Sequence, residues 1–166
     1  MLIILEGMDC TGKSTLAKKL SEKLDFPIVK GSSFEQAKCS NADLFKSFME
    51  LTKLKNTILD RFIYSNEVYA SIYEDYSILS DEQRRFVERE IAGSALLVYL
   101  HANNTTLIAR IEKRGDDYVT IDKFNEIRSS YLSALAKSKY IEGMSFNTAE
   151  MSTDDIVNEI VSRLNN

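Results

Sequence analysis

The stretch Gly7–Ser14 reads GMDCTGKS and matches the pattern G-x-x-x-x-G-K-[ST] at every fixed position. The apolar run Leu2–Glu6 precedes it, and Ser14–Leu24 follows with leucines at helical spacing. A glycine-rich turn between a strand and a helix brings backbone N–H groups together around phosphate oxygens, and the helix N-terminus favours negative charge. The stretch therefore predicts a P-loop that binds a nucleoside triphosphate, with ATP as the expected ligand. The predicted ATP-binding residues are Gly7, Met8, Asp9, Cys10, Thr11, Gly12, Lys13, Ser14 and Thr15.

Short apolar runs and amphipathic runs alternate along the rest of the chain. The apolar runs predict strands at Leu2–Glu6, Pro27–Lys30, Asn56–Asp60, Ala95–His101 and Tyr140–Phe146. The amphipathic runs predict helices at Ser14–Leu24, Asn41–Lys53, Ser65–Tyr73, Asp81–Ala92, Thr105–Lys113, Lys123–Lys137 and Thr153–Leu164. Apolar strands that alternate with helices indicate an α/β fold with a parallel sheet covered on both faces. Such folds bind ligands beyond the carboxyl ends of their strands, which is where we expect the site.

The composition is that of an ordinary globular protein, and the length of 166 residues predicts a single domain over residues 1–166. The formal net charge of −4 gives no general attraction for polyanions, so a nucleic acid polymer is not an expected partner. Two cysteines and one histidine are too few for a disulfide framework and argue against a zinc site. No run approaches the roughly 20 apolar residues of a membrane span, and the N-terminus lacks the charged start of a signal peptide. The expected location is the cytoplasm.

Several polar residues have the types that phosphoryl transfer needs. Lys13 supplies a charge for the β and γ phosphates, and the Ser14 hydroxyl is a ligand for Mg. Asp60 ends a predicted strand, where a carboxylate either holds Mg or caps a following helix. Arg110 and Arg114 are four residues apart, hence on one helix face. They either close over a transferring phosphoryl group or form a solvated basic helix end.

Several segments together resemble thymidylate kinases. The segment DRFIYSNEVYA, residues 60–70, is similar to their signature D-R-[FY]-x-x-S-x-x-x-[YF], and the acidic third residue of the P-loop looks like theirs. The segment LIARIEKRGDDY, residues 107–118, places Arg110 and Arg114 where that family has its lid arginines, and Phe124–Lys137 resembles the helix that follows. The resemblance implies a P-loop NTPase domain of three α/β/α layers. It also implies a five-stranded parallel sheet in strand order 2-3-1-4-5, and a lid at about residues 110–122.

The resemblance also implies roles for individual residues. Arg61 would hold the 5′-phosphate of an acceptor nucleotide, Asp9 would bind its 3′-hydroxyl, and Tyr69 would crowd the 2′ position and favour deoxyribose. Cys10 stands where some members carry a catalytic arginine, so the lid would supply that charge. The implied catalytic residues are Lys13, Arg61, Arg110 and Arg114. The implied acceptor-binding residues are Asp9, Lys30, Phe48, Arg61, Ser65 and Tyr69, and the implied metal ligands are Ser14 and Asp60.

The base of the acceptor stays open at this stage. Phe45 and Phe48 stand where the family has an aromatic residue that stacks on thymine, but no arginine follows them to read the base. A stacked aromatic ring holds any base, because every base has a π-face. Core packing is the alternative role for Phe48.

The acceptor is predicted to be a monophosphate. An acceptor phosphate is already anionic near neutral pH, because its second pKa is about 6, so its site needs cations more than a general base. A nucleoside hydroxyl usually needs a carboxylate within reach. The second predicted strand ends on Lys30, which favours the phosphate, while Glu35 keeps a deoxynucleoside kinase open as the alternative.

These inferences together predict a kinase that uses ATP and Mg to phosphorylate dTMP or a related deoxypyrimidine monophosphate. A nucleotide-binding protein without transfer activity is a further alternative. Kinases of this architecture often pair through helices, so the fold allows a homodimer.

Overall fold

One parallel sheet organises the molecule. The computed structural model describes residues 1–33, 37–114 and 121–165, and its five strands lie in the order β2-β3-β1-β4-β5. The strands are β1 (Leu2–Gly7), β2 (Ile28–Lys30), β3 (Thr57–Asp60), β4 (Ala95–His101) and β5 (Glu142–Asn147). Every neighbouring pair is parallel. The predicted α/β class, parallel sheet and strand order are confirmed.

Helices cover both faces of this sheet. Within the described ranges they are α1 (Lys13–Leu24), α2 (Asn41–Thr52), α3 (Ile63–Ala70), α4 (Asp81–Glu90), α5 (Asn104–Arg114), α6 (Phe124–Ala136) and α7 (Thr153–Leu164). Helix α4 begins with a capping box formed by Ser80 and Gln83. None of the described helices is long and apolar enough to span a membrane.

Helix α3 departs from its predicted bounds, since it begins at Ile63 and not at Ser65. No local side chain caps its N-terminus. The buried carboxylate of Glu6, on β1, instead accepts hydrogen bonds from the backbone N–H groups of Phe62 (2.8 Å) and Ser65 (3.2 Å). A carboxylate at this end of a helix satisfies free N–H donors and interacts favourably with the helix dipole. A partner from another element therefore fixes where the helix starts.

Two hydrophobic clusters, one on each face, hold the layers together. Side chains alternate along β1, so Ile4 joins the cluster beneath α2, α3 and α6, while Ile3 and Leu5 join the cluster beneath α1 and α7. All the residues of β1 are buried. The polar residues that end β1 and β3 therefore emerge together at one edge of the sheet, because Leu5 pairs with Asp60 in register.

Candidate active site

A cavity of about 1030 Å³ opens at the carboxyl ends of β1, β2 and β3. It brings together most of the residues that the sequence singles out for ATP, acceptor and metal. These are Asp9, Cys10, Thr11, Gly12, Lys13, Ser14, Thr15, Lys30, Asp60, Arg61, Ser65, Tyr69, Arg110 and Arg114. Gly7 and Met8 do not line the cavity, and their carbonyl oxygens accept hydrogen bonds from Lys13 Nζ.

The P-loop folds as the motif requires. Gly7 has φ +140°, and a Cβ there would come within 2.2 Å of the Leu100 carbonyl oxygen, so only glycine fits. Lys13 begins α1, whose N-terminus no side chain caps. Its Nζ donates to the carbonyl oxygens of Gly7 (2.7 Å) and Met8 (2.6 Å). Burial, with the nearby charge of Arg61, lowers the pKa of Lys13 to about 7. An anion at this loop would offset that repulsion.

Arg61 is the centre of a second, separate group of side chains. Its backbone lies in the left-handed region at φ +68°, which is uncommon for a residue with a side chain and aims the guanidinium into the cavity. One Nη atom lies 2.6 Å from Asp9 Oδ1, and the guanidinium lies over the Tyr69 ring at 5.0 Å. Gly31 leaves room for this turn, since a Cβ there would come within 2.1 Å of the Arg61 carbonyl oxygen.

Asp9 stays ionised in this surrounding. Burial alone would raise the pKa of Asp9, but the charges of Arg61 and Lys13 outweigh burial, and the pKa is lowered. The Tyr69 hydroxyl donates to Asp9 Oδ2 at 3.3 Å. Asp9 and Tyr69 are thus positioned beside the cation at which the resemblance places the acceptor phosphate.

Tyr131 and Glu6, which the sequence analysis did not single out, hold this group in place. Tyr131, on α6, is fully buried, and its hydroxyl accepts from Arg61 Nη1 (2.9 Å) and donates to the Gly7 carbonyl oxygen (3.1 Å). The Ser65 hydroxyl lies 2.9 Å from the Tyr131 hydroxyl oxygen and donates to the buried Glu6 carboxylate. Glu6 carried a signal, because it is the only charged residue in an otherwise apolar strand. Tyr131 carried none, since only the tertiary fold brings it to Gly7.

The carboxylate of Asp60 fits the role of a metal ligand. Its Oδ1 is buried and has no hydrogen-bond partner in the described part of the chain, although a buried carboxylate oxygen normally has one. Ser14 lines the same cavity. No group of three or more acidic, histidine or cysteine residues within the described ranges could hold a metal by itself. A single carboxylate and a hydroxyl fit Mg, which binds few protein ligands together with substrate phosphates and water.

The two predicted lid arginines meet at the P-loop. Arg110 donates to the carbonyl oxygen of Cys10 (3.0 Å), and to both the hydroxyl (2.9 Å) and the carbonyl oxygen (2.7 Å) of Thr148. Arg114 reaches the Cys10 sulfur at 3.7 Å. Their charge therefore lies beside Cys10, the position at which the resemblance places an arginine of some thymidylate kinases. The remainder of the predicted lid, residues 115–120, lies outside the described residues, as does Glu35.

The placement of Phe48 as a base-stacking residue is wrong. Phe48 is only 2% exposed and packs edge-to-face against Phe62 in the core, with 5.3 Å between ring centroids. The apolar face of α2 turns it inward, so both faces of its ring are covered. Phe45 also contacts a protein ring, that of Phe86, at 6.1 Å. Neither residue lines the cavity.

Comparison with known proteins assigns a family to this arrangement. The sequence profile described as AAA domain matches residues 3–131. The chain is 44% identical over 160 residues to the SPbeta prophage-derived uncharacterized protein YorR of Bacillus subtilis, covering 96% of each chain. A crystal structure of YorR in complex with phosphorylated GDP superimposes with a TM-score of 0.94, over 99% of this chain and 96% of that one.

More distant relatives are named nucleotide and nucleoside kinases. Thymidylate kinase of Leptospira interrogans is 25% identical over 172 residues, covering 82% of each chain. Deoxyadenosine kinase of M. mycoides, solved with bound dCTP, is 22% identical and has a TM-score of 0.65, over 99% of each chain. The latter likeness shows the shared P-loop kinase fold alone.

Proposed function

We propose, from the premise that this chain belongs to the AAA domain family, that it is a kinase that transfers the γ-phosphoryl group of ATP to a deoxynucleoside monophosphate. One observation carries the proposal: a single cavity holds two cationic side chains, Lys13 in the P-loop and Arg61 beside Asp9. A triphosphate donor needs the first group. An acceptor that is itself a phosphate needs the second, because two anions must approach each other.

The reaction follows from these two groups. Lys13 binds the β and γ phosphates, and Arg61, held by Asp9 and Tyr131, binds the acceptor phosphate. An oxygen of the acceptor phosphate forms a bond to the γ phosphorus while the bond from that phosphorus to the β–γ bridging oxygen breaks, which leaves ADP. The acceptor oxygen is already anionic, so no side chain has to remove a proton. Arg110 and Arg114 offset the negative charge at the transferring group.

Mg would be held by Ser14 and Asp60 and would neutralise charge on the phosphates. The described end of β2 supports a phosphate acceptor over a nucleoside, because Lys30, Ser32 and Ser33 line the cavity there and Asp9 is engaged with Arg61. Tyr69 lies next to Asp9 in the cavity, and this position supports a deoxyribose as the sugar of the acceptor.

Two finer parts of the proposal rest on the resemblance to thymidylate kinases: dTMP or a related deoxypyrimidine monophosphate as the acceptor, and a lid at about residues 110–122. The single domain and the cytoplasmic location rest on the length and composition of the chain. The complex of YorR with phosphorylated GDP makes dGMP the second acceptor to test. The homodimer stays a prediction.

An acceptor panel tests the proposal. The purified protein is incubated with ATP, Mg and each deoxynucleoside or its monophosphate, and the phosphorylated products are separated and identified. We expect diphosphates from monophosphates. Products from nucleosides only would assign a deoxynucleoside kinase instead, and ATP binding without any product would assign a protein that only binds nucleotide.

The Arg61→Ala variant tests, in the same assay, whether Arg61 acts on the acceptor and not on ATP. We expect a large rise in the acceptor KM or a fall in kcat, with a smaller effect on the KM for ATP. Arg163→Ala is the matched control, because Arg163, on α7, is an exposed arginine that pairs with Glu142 on β5. An Arg61→Ala enzyme with unchanged acceptor KM and kcat would contradict the proposed site.

A further inference from the structure

Three tyrosines form the aromatic part of the cavity wall. Among the described residues that line the cavity, the aromatic ones are Tyr69, Tyr73 and Tyr76. The rings of Tyr69 and Tyr73 stack at 6.3 Å with 19° between planes, and those of Tyr73 and Tyr76 lie 5.3 Å apart at 32°. The three rings therefore form one continuous series that starts at the Arg61 cluster. We call this series the tyrosine wall.

The order of groups along a nucleotide matches the order along this wall. In the proposed complex the 5′-phosphate lies at Arg61 and the sugar at Asp9 and Tyr69. The base is attached to the sugar on the side away from the phosphate, so the next surface it meets is that of Tyr73 and Tyr76. Tyr69 itself offers little ring surface to a base, because the Arg61 guanidinium lies over its ring at 5.0 Å.

Hydrogen bonds anchor the chain on both sides of the wall. The Tyr73 N–H donates to the Tyr69 carbonyl oxygen at 2.9 Å, which extends the turn at the end of α3. Asn66 is 2% exposed and donates from Nδ2 to the Ser77 carbonyl oxygen at 3.0 Å. The Ser77 N–H donates in turn to the Ala37 carbonyl oxygen at 2.9 Å. A preformed aromatic surface loses little conformational entropy on binding.

We propose that Tyr73 and Tyr76 are the base-binding residues of the acceptor site and that they hold the base by stacking, in place of the core residue Phe48. The inference rests on the proposed function, because the positions of phosphate and sugar fix the direction of the base. Stacking uses the π-face that every base has. The wall therefore adds affinity for purine and pyrimidine monophosphates alike, and selection acts on the sugar and the phosphate.

The test compares nucleotides with a ligand that has no base. Isothermal titration calorimetry measures the binding of dTMP, dGMP and deoxyribose 5-phosphate to the wild type and to Tyr73→Leu and Tyr76→Leu. Stacking on an aromatic side chain is worth about 5- to 150-fold in affinity for each base. We expect the leucine variants to lose affinity of this order for both nucleotides and to bind deoxyribose 5-phosphate as the wild type does.

Conservative variants separate the ring from the hydroxyl and from damage to the fold. Tyr73→Phe and Tyr76→Phe keep the ring and should keep nucleotide affinity within about twofold, since a ring without its hydroxyl stacks equally well. Tyr140→Leu is the control, because Tyr140 is a partly exposed tyrosine that contacts Arg89 and does not line the cavity.

The outcomes distinguish this inference from the proposed function. If the wild type phosphorylates monophosphates but the leucine variants bind nucleotides with unchanged affinity, the inference alone is overturned. A loss for one base only, or an equal loss in the phenylalanine variants, would overturn it as well. If the leucine variants lose nucleotide affinity as expected but no nucleotide is ever phosphorylated, the proposed function is overturned and the base site stands. Absence of nucleotide binding by the wild type would overturn both.

Discussion

Tyr131 shows how much the site depends on single residues outside the motifs. Its hydroxyl links the Arg61 guanidinium to the carbonyl oxygen of Gly7, so it connects the proposed acceptor side of the cavity to the P-loop. Tyr131 does not line the cavity, and we regard it as a positioning residue that acts through Arg61.

Removal of that hydroxyl should affect the acceptor more than ATP. Tyr131→Phe deletes one hydrogen bond to a charged group and one to a backbone carbonyl, which is worth about 2 kcal/mol. We expect kcat/KM for the acceptor monophosphate to fall by about tenfold or more, with a smaller change in the KM for ATP. Steady-state kinetics with each substrate varied in turn measure this, and Tyr140→Phe, on the surface, is the control. Equal losses for both substrates would contradict a role that acts through Arg61.

Glu6 should make stability depend on pH in a recognisable way. Burial raises the pKa of Glu6 above its ordinary value of 4.5, although hydrogen bonds from Ser65 and the charge of Arg61 oppose burial. At pH values between 4.5 and the raised pKa, the folded chain therefore holds more protons than the unfolded chain. The free energy of unfolding thus falls as pH rises through this window. Glu6→Gln stays neutral and removes that dependence.

Urea unfolding of both proteins at pH 4.5 and pH 7.5 measures this effect, since other titrating groups cancel in the difference. We expect the stability of Glu6→Gln relative to the wild type to increase with pH. The amide oxygen can still accept from Phe62 and Ser65, as Oε1 does now. A relative stability that is constant between the two pH values, or that falls, would show that Glu6 is ionised throughout.

At the scale of elements, the approach of β2 to β3 positions Arg61. The N–H of Gly31, just after β2, donates to the Asp60 carbonyl oxygen at 3.1 Å. In Gly31→Ala the new methyl group would overlap the backbone of Arg61, which cannot move without shifting the turn. We expect a loss of about 1–3 kcal/mol in stability, together with weaker acceptor binding.

Gly143→Ala, on β5, provides the comparison. A Cβ at Gly143 would meet only the Leu97 carbonyl oxygen, at 3.8 Å, which is an ordinary contact. Its stability should stay within about 0.5 kcal/mol of the wild type. Thermal unfolding of both variants and the acceptor KM check these values, and a Gly31→Ala protein as stable and active as Gly143→Ala would contradict the argument.

Helix α5 carries two arginines that the structure gives different surroundings. Arg110 makes three hydrogen bonds to Cys10 and Thr148, whereas Arg114 reaches the Cys10 sulfur near the end of the helix. We expect Arg114→Ala to lower kcat about 100-fold or more, as loss of a charge that stabilises the transition state does, with little change in the KM for ATP. Arg110→Ala should also raise the KM for ATP, because it releases the loop around Thr148. Identical effects on both constants in the two variants would contradict this division.

At the scale of the whole molecule, a buried ionic cluster joins three helices away from the cavity. Arg84, on α4, lies 3.1 Å from Glu67 on α3 and 3.0 Å from Glu88, and donates to the Ala134 carbonyl oxygen of α6 at 2.8 Å. Glu88 is fully buried and also accepts from the Tyr64 hydroxyl at 2.9 Å. None of these residues lines the cavity.

This cluster should matter for stability and not for catalysis. Arg84→Ala leaves the buried Glu88 carboxylate without its cation, which costs about 3 kcal/mol or more. We expect a clear fall in the midpoint of thermal unfolding and normal kcat at temperatures where the variant is folded. Arg85→Ala, at the exposed neighbouring position, should change the midpoint little. A reduced kcat in folded Arg84→Ala protein would tie the cluster to the active site.

Local patterns were sufficient for the fold class and the covered parallel sheet, because they are set by neighbouring residues, whereas the strand order came from the resemblance to thymidylate kinases. The P-loop depends on glycine geometry between a strand and a helix, and the apolar strands together with amphipathic helices dictate a covered parallel sheet. The same patterns indicated Asp60, Arg61 and the lid arginines as residues at the carboxyl edge, where the structure indeed brings them together. Their roles in binding and catalysis remain proposals.

Only the tertiary structure could place the residues whose neighbours are distant along the chain. The amphipathic pattern of α2 did not tell whether Phe48 faces the core or a ligand, and packing against Phe62 decides for the core. The sheet register brings Glu6 to Phe62 and Ser65, and the packing of α6 brings Tyr131 to Arg61, which no local pattern encodes. A motif thus determines the phosphate loop by itself, because its contacts are local. The surroundings of Arg61, the proposed site of the acceptor phosphate, depend on long-range packing, which the folded chain alone fixes.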